Sequence, residues 1–174
     1  MRFAFFLPFV ALLFCGCAGY KIGPVQPKFM EGIHTIAIPS FKNDTLEPRI
    51  EVLLATALIK QFQQDGTSQI ANENNADAII VGTLERIERR PARSVRGNVL
   101  QTSEYTLTLR CRFEVKDRHT GVILDNRAIN GMTNFFVSGS NSIAADVNQD
   151  ERQAIPLAAE EMAVRYVSQI SEGW

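Results

Sequence analysis

The sequence predicts an α+β domain: a two-layer sandwich in which a four-stranded mixed sheet carries two helices on one face, in the order β-α-β-β-β-α. Three observations carry that expectation. A β-rich run, an amphipathic stretch and a second apolar run follow one another at short spacing, residues 105–116 alternate strictly between apolar and polar, and an apolar stripe with helical spacing closes the chain. With 174 residues, 45% hydrophobic and a formal net charge of −1, the chain is one modest domain, long enough to bury a core without disulfides. The charge balance excludes a broadly basic nucleic-acid binder, so nucleic acid is not an expected partner and any polyanion site must be a local patch.

The elements follow in order. Residues 1–16 hold 13 hydrophobic residues, five of the 11 Phe and one charge, Arg2, which describes a removable signal peptide and leaves the remainder at −2. The apolar run of 12 residues from Phe3 is too short to span a bilayer. It ends in residues 12–20, LLFCGCAGY, which resembles a bacterial lipobox; Cys17 fits as the lipidated residue because Gly16 is small, whereas Phe14 before Cys15 is bulky. A diacylglyceryl group there anchors the protein to a membrane, each buried CH₂ contributing about 0.8 kcal/mol. Ala18 after the cysteine resembles the outer-membrane sorting pattern, on the periplasmic side. Residues 17–31, with Gly19, Gly23, Pro24 and Pro27, read as a lipidated tether to a single domain at 32–174.

The first strand is expected over residues 32–39 and ends at Pro39. Asp44 or Thr45 is then an N-cap for a helix whose Ile50, Leu53, Leu54, Ala57, Leu58 and Phe62 cover the core, and Asp65-Gly66 stops it. Residues 76–88 begin as a continuous apolar run and turn alternating, as in a central strand leaving the core. Strand, helix and strand so connected give parallel strands, adjacent or with one strand between them. In the third strand Tyr105, Leu107, Leu109, Cys111, Phe113 and Val115 point one way and Thr106, Thr108, Arg110, Arg112, Glu114 and Lys116 the other. A hairpin loop at 117–121 leads to a fourth strand over 122–137, in which Asn130-Gly131 is either a second turn or, by preference, a bulge. After a polar loop at 138–149, a helix starts near Asp150, with Gln153 at the capping-box position and Ile155, Ala159, Met162, Tyr166 and Ile170 as its stripe; Pro156 kinks or delays its start.

No catalytic constellation is legible: no nucleophile elbow, phosphate loop or dinucleotide fingerprint, and neither His34 nor His119 has neighbours at metal-ligand spacing. Glu160-Glu161 reads as solvated charge, and Cys111, on the apolar side of its strand, as a buried small hydrophobe. The sequence therefore predicts a non-enzyme with no metal and no cofactor. One charged feature stands out. Arg86, Arg89, Arg90, Arg93 and Arg96 fall within 11 residues around Pro91 and Gly97, against Glu85 and Glu88. Arginine's planar fork binds phosphate bidentately, so this strand end is a candidate anion site; the competing reading is a solvated, salt-bridged strand end. At an outer membrane the matching polyanion is lipopolysaccharide, through its lipid A phosphates.

Several segments together resemble the LptE family of lipopolysaccharide-assembly lipoproteins: residues 17–23 (CAGYKIG), 36–45 (IAIPSFKNDT), 76–82 (ADAIIVG), the strand opening at Glu104-Tyr105, 117–121 (DRHTG), and 150–154 (DERQA) through the terminal Gly173-Trp174. Order and spacing carry the likeness over nearly all of the mature chain. The resemblance implies a two-layer α/β fold that plugs an LptD-type outer-membrane β-barrel and helps deliver lipopolysaccharide to the outer leaflet, with Cys17 lipidated and with Arg89, Arg90 and Arg93, matched by position and charge type, contacting the ligand. The strand–Pro–SFKN opening and helix are also similar to periplasmic lipoproteins that regulate a peptidoglycan synthase or assemble a secretion pore.

Overall fold

A computed structural model of the chain describes residues 27–95, 98–137 and 144–171. The leader, Cys17, most of the tether, Arg96, Gly97 and Gly173-Trp174 lie outside the described residues. After a 3-10 turn at Lys28–Met30 come β1 (Thr35–Ala37), β2 (Lys42–Asn43), α1 (Ile50–Asp65), β3 (Gln69–Ile70), β4 (Ala78–Val95), β5 (Asn98–Asp117), β6 (Ile123–Phe136) and α2 (Ala144–Ser171).

The α+β class and the mixed sheet stand, but the sheet has six strands rather than four, in the order β3-β1-β4-β5-β6 with β2 also on β4. The two additional strands are two residues long, too short for any periodicity to announce them. β1 and β4 are parallel and adjacent, with Ile36 opposite Ala78, and the two hairpins β4-β5 and β5-β6 are antiparallel. The carboxylate of Asp77 fastens the start of β4 to β1 by accepting the backbone N–H of His34 at 3.0 Å and of Thr35 at 2.8 Å.

Both helices cover the face of the sheet that carries the apolar half of β5. Phe113 stacks on Tyr166 of α2 at 4.0 Å between ring centroids, Phe62 of α1 meets that tyrosine edge-on at 6.4 Å, and Phe41 meets Phe113 edge-on at 5.6 Å. The expected stripe of α2, Ile155, Ala159, Met162, Tyr166 and Ile170, is buried throughout. In α1 the buried residues are Ile50, Leu54, Ala55, Leu58 and Phe62, with Leu53 and Ala57 packed beside them.

Four boundary expectations are corrected. First, α1 begins at Ile50, not after an Asp44 or Thr45 cap; Arg49 stands before it with φ 66° and no side-chain cap. Asn43 organises the intervening loop instead, its Oδ1 accepting the Thr45 N–H at 2.9 Å and its Nδ2 donating to the Glu47 carbonyl at 2.7 Å. The C-terminal end is as expected, with Gly66 at φ 74° donating to the Phe62 carbonyl at 3.0 Å. Second, β4 runs on through Pro91 to Val95, and the proline is accommodated where the ladder shifts register between Pro91 and Arg93. Third, Asn130-Gly131 is neither a turn nor a bulge: pairing with β5 passes unbroken from Arg110↔Asn130 to Leu109↔Gly131. Glycine is required there by packing, since a Cβ on Gly131 would lie 2.1 Å from the Ala158 carbonyl oxygen of α2. Fourth, α2 starts at Ala144, so Asp150 and Gln153 lie inside the helix rather than in a capping box, and the helix continues through Pro156.

Candidate functional site

Among the described residues no helix lies over the second face of β4, β5 and β6, and the polar half of the β5 alternation lies there. The ladder steps from Leu84↔Cys111 to Arg86↔Arg110, so Glu85 is the extra residue of a bulge and joins Arg86 on this open side. Basic groups hold the carboxylates of the open face. Glu85 accepts from Arg112 Nε at 2.7 Å and Arg110 Nε at 3.2 Å. Glu88 lies between Arg86 at 3.0 Å and Arg90 at 2.9 Å, and Glu114 pairs with Lys116 at 2.8 Å. These contacts hold the three carboxyls below their ordinary value: the Arg112 hydrogen bond leads for Glu85, the Arg86 one for Glu88 and the Lys116 one for Glu114. Sharing one carboxylate between two arginines leaves the open face with a basic surplus.

At the centre of this face is a shallow depression of about 370 Å³, lined by Glu88, Arg90, Thr106, Thr108, Arg110, Asn130 and Met132. Two guanidinium groups, two hydroxyls and an amide line it beside the Glu88 carboxylate, with Arg90 paired to Glu88 and Arg110 to Glu85, a mixed polar set suited to hydroxyl and other sugar oxygens.

The three sequence-predicted arginines do not share one face. Register places Arg90 opposite Thr106 on the open side and Arg89 opposite Leu107 on the helix side. Arg89 Nε donates to Glu151 of α2, whose side chain is 5% exposed while that of Arg89 is 50% exposed. Arg93 pairs with Glu104 at 3.5 Å, and Glu104 also accepts from Asn134 Nδ2 at 3.1 Å. The strand end is therefore an arginine cluster that wraps around the margin of the sheet. Sequence reasoning missed Glu104 and Glu151. Glu104 sits on the polar side of an alternating strand and Glu151 near an expected helix start, so neither carries a signal of burial.

The remaining candidates are also placed. Burial pushes the Cys111 thiol up to about 12, in keeping with an inert core residue. His34 and His119 are exposed, and no cluster able to hold a metal occurs among the described residues. Glu160 reaches Lys60 of α1 at 3.2 Å, as solvated charge does. Glu161 does more than face water, because its Oε2 accepts the Met132 N–H of the edge strand β6 at 2.9 Å, while Arg165 pairs with it. No helix among the described residues is long and apolar enough to cross a membrane.

Comparison with known proteins sets this geometry in context. The family described as LptE, lipopolysaccharide-assembly, matches residues 33–170. No curated protein matches the sequence. Among solved structures, a protein from Xanthomonas campestris superposes with a TM-score of 0.56 at 12% identity, covering 87% of this chain and 90% of its own. An uncharacterized lipoprotein B from Nitrosomonas europaea gives 0.52 at 14% identity, with 88% and 90% covered. The PelC dodecamer from Paraburkholderia phytofirmans gives 0.50 at 17% identity, with 86% and 96% covered. At these identities the likeness is one of fold.

Proposed function

The chain belongs to the LptE family of lipopolysaccharide assembly, and from that premise we propose that it is an outer-membrane lipoprotein that plugs and helps assemble an LptD-type β-barrel and assists lipopolysaccharide transport to the outer leaflet. In this reading Cys17 carries the lipid, the domain faces the periplasm, and the work is done by binding rather than by bond chemistry. The observation that supports it is the uncovered β4–β6 face, on which Arg86, Arg90, Arg110, Arg112 and Lys116 surround Glu85, Glu88 and Glu114. A charged and hydroxylated face suits a polar barrel lumen, where lipid-facing chemistry lies on the outside of the barrel. The arginines at its margin suit the phosphates of lipid A, with Arg89, Arg90 and Arg93 as the proposed contacts.

Affinity purification of the tagged, full-length lipoprotein from membranes tests this directly. Co-purification of an outer-membrane barrel supports the plug; recovery of a peptidoglycan synthase, or of a large stable ring of the chain itself, replaces it with the regulatory or pore-forming alternative.

A further inference from the structure

Two carboxylates are buried among the described residues, Glu104 at 8% and Glu151 at 4% relative exposure, and each stands behind one of the three arginines of the proposed ligand site. They come from different elements and opposite sides of the sheet: Glu151 from α2 on the helix side, Glu104 from β5 on the open side. Burying a carboxylate carries a desolvation cost that a partner half or more open to water offsets only in part, so neither pair is strong evidence of a stability role. Two such pairs at one strand end ask for another reason.

Geometry supplies it. Arg89 Nε is taken by Glu151 while half of the Arg89 side chain stays exposed, and the Arg93 side chain is 72% exposed above a nearly covered Glu104. Glu104 is itself fixed by Asn134, whose Oδ1 in turn accepts from Thr106 at 2.9 Å. Each arginine is thus held from the protein side and presented to solvent, which removes rotamer freedom that a ligand would otherwise have to order. Resting on the lipopolysaccharide reading above, we propose that Glu104 and Glu151 are positioning residues of the anion site: they aim Arg93 and Arg89 at the phosphates of the ligand and make no contact with it themselves.

The test separates positioning from stability. In full-length lipoprotein, Glu104→Met and Glu151→Met replace a buried charge by an apolar side chain of similar size, and Glu104→Gln and Glu151→Gln keep an oxygen for the arginine. Binding of purified lipopolysaccharide, of its dephosphorylated form and of inorganic phosphate is measured beside the thermal midpoint. Because the arginine left behind is half or more exposed and keeps its hydration, the expected result is a midpoint little changed in the Met variants with lipopolysaccharide affinity down about tenfold in each, recovery to within about threefold in the Gln variants, and no difference between wild type and Met variants for dephosphorylated lipopolysaccharide. A dependence seen equally with inorganic phosphate makes the aimed group a single phosphate; one seen only with lipopolysaccharide makes it the phosphate array of the lipid, and both uphold positioning. Met variants that bind as wild type, that bind more tightly, or that lose affinity only in step with stability overturn it. If wild type binds and the Arg89, Arg90 and Arg93 alanine variants do not, while the Met variants bind normally, this inference alone fails; if wild type does not bind, the ligand reading fails and takes the inference with it.

Discussion

On its helix side β5 presents Leu107, Leu109, Cys111, Phe113 and Val115, all buried, whereas on its other side Thr106, Thr108, Arg110, Arg112, Glu114 and Lys116 remain partly or fully open to solvent. The backbone is shared and the chemistry is opposite. Shape governs the covered side: rings stack, and Gly131 admits the backbone of α2 where a methyl group would not fit. Charge governs the open side, where ion pairs in contact with water contribute little to stability individually. Damage to the first face is therefore expected to register in stability and damage to the second in binding.

The largest effect expected is on the covered face. Phe113→Ala removes the ring between Tyr166 and Phe41 and is expected to cost about 3–5 kcal/mol of folding stability, measured by chemical denaturation. Gly131→Ala comes next: its Cβ would fall 2.1 Å from the Ala158 carbonyl and 2.6 Å from Met162 Cβ, so α2 must shift off β6 at a cost of about 1–3 kcal/mol or more. An unchanged midpoint in either variant breaks the contrast between the two faces.

These two positions also show what was legible in the sequence. The alternation of β5 and the stripe of α2 are strong periodic signals, and the residues they assign to the core are buried there except Tyr105, which is partly buried against it. Gly131 gave a false signal, because Asn-Gly favours a turn locally while the packing of a helix distant in sequence decided the outcome. The length of β4 was hidden because an arginine-rich run containing Pro91 has no strand pattern; pairing with β5 holds it extended. The arginines themselves were legible as a cluster, but their division between faces depends on the bulge at Glu85 and the shift after Pro91, which a residue count does not reveal.

Smaller effects sharpen the contrast on the open face. The Glu85 carboxyl is held below its ordinary 4.5, chiefly by the hydrogen bond from Arg112. A value depressed by folding makes its contribution complete above pH 4.5, and that contribution is lost as pH falls through the folded value. Glu85→Gln is therefore expected to lose less stability than wild type between about pH 6 and about pH 3, as read by denaturation at both; an identical loss would show that the Arg110–Glu85–Arg112 bridge carries no linkage. The smallest effect is expected at Tyr166, whose ring is central to the core but whose buried hydroxyl has no hydrogen-bond partner among the described residues. Tyr166→Phe keeps the ring and is expected to be neutral or stabilising by no more than about 1 kcal/mol, since no bond is lost and an unpaired buried hydroxyl is removed.

The division of labour between sheet margin and helical layer is tested most directly by comparing two sets of cations in the full-length lipoprotein. Arg89, Arg90 and Arg93 are changed together to Ala at the sheet margin, and Lys60, Arg152 and Arg165 are changed together on the helical layer. Lipopolysaccharide binding is measured across a salt series. The first triple is expected to lose at least about tenfold in affinity and most of its salt dependence while the second binds as wild type; equal affinity in the two triples would contradict a phosphate-binding role for the arginine cluster.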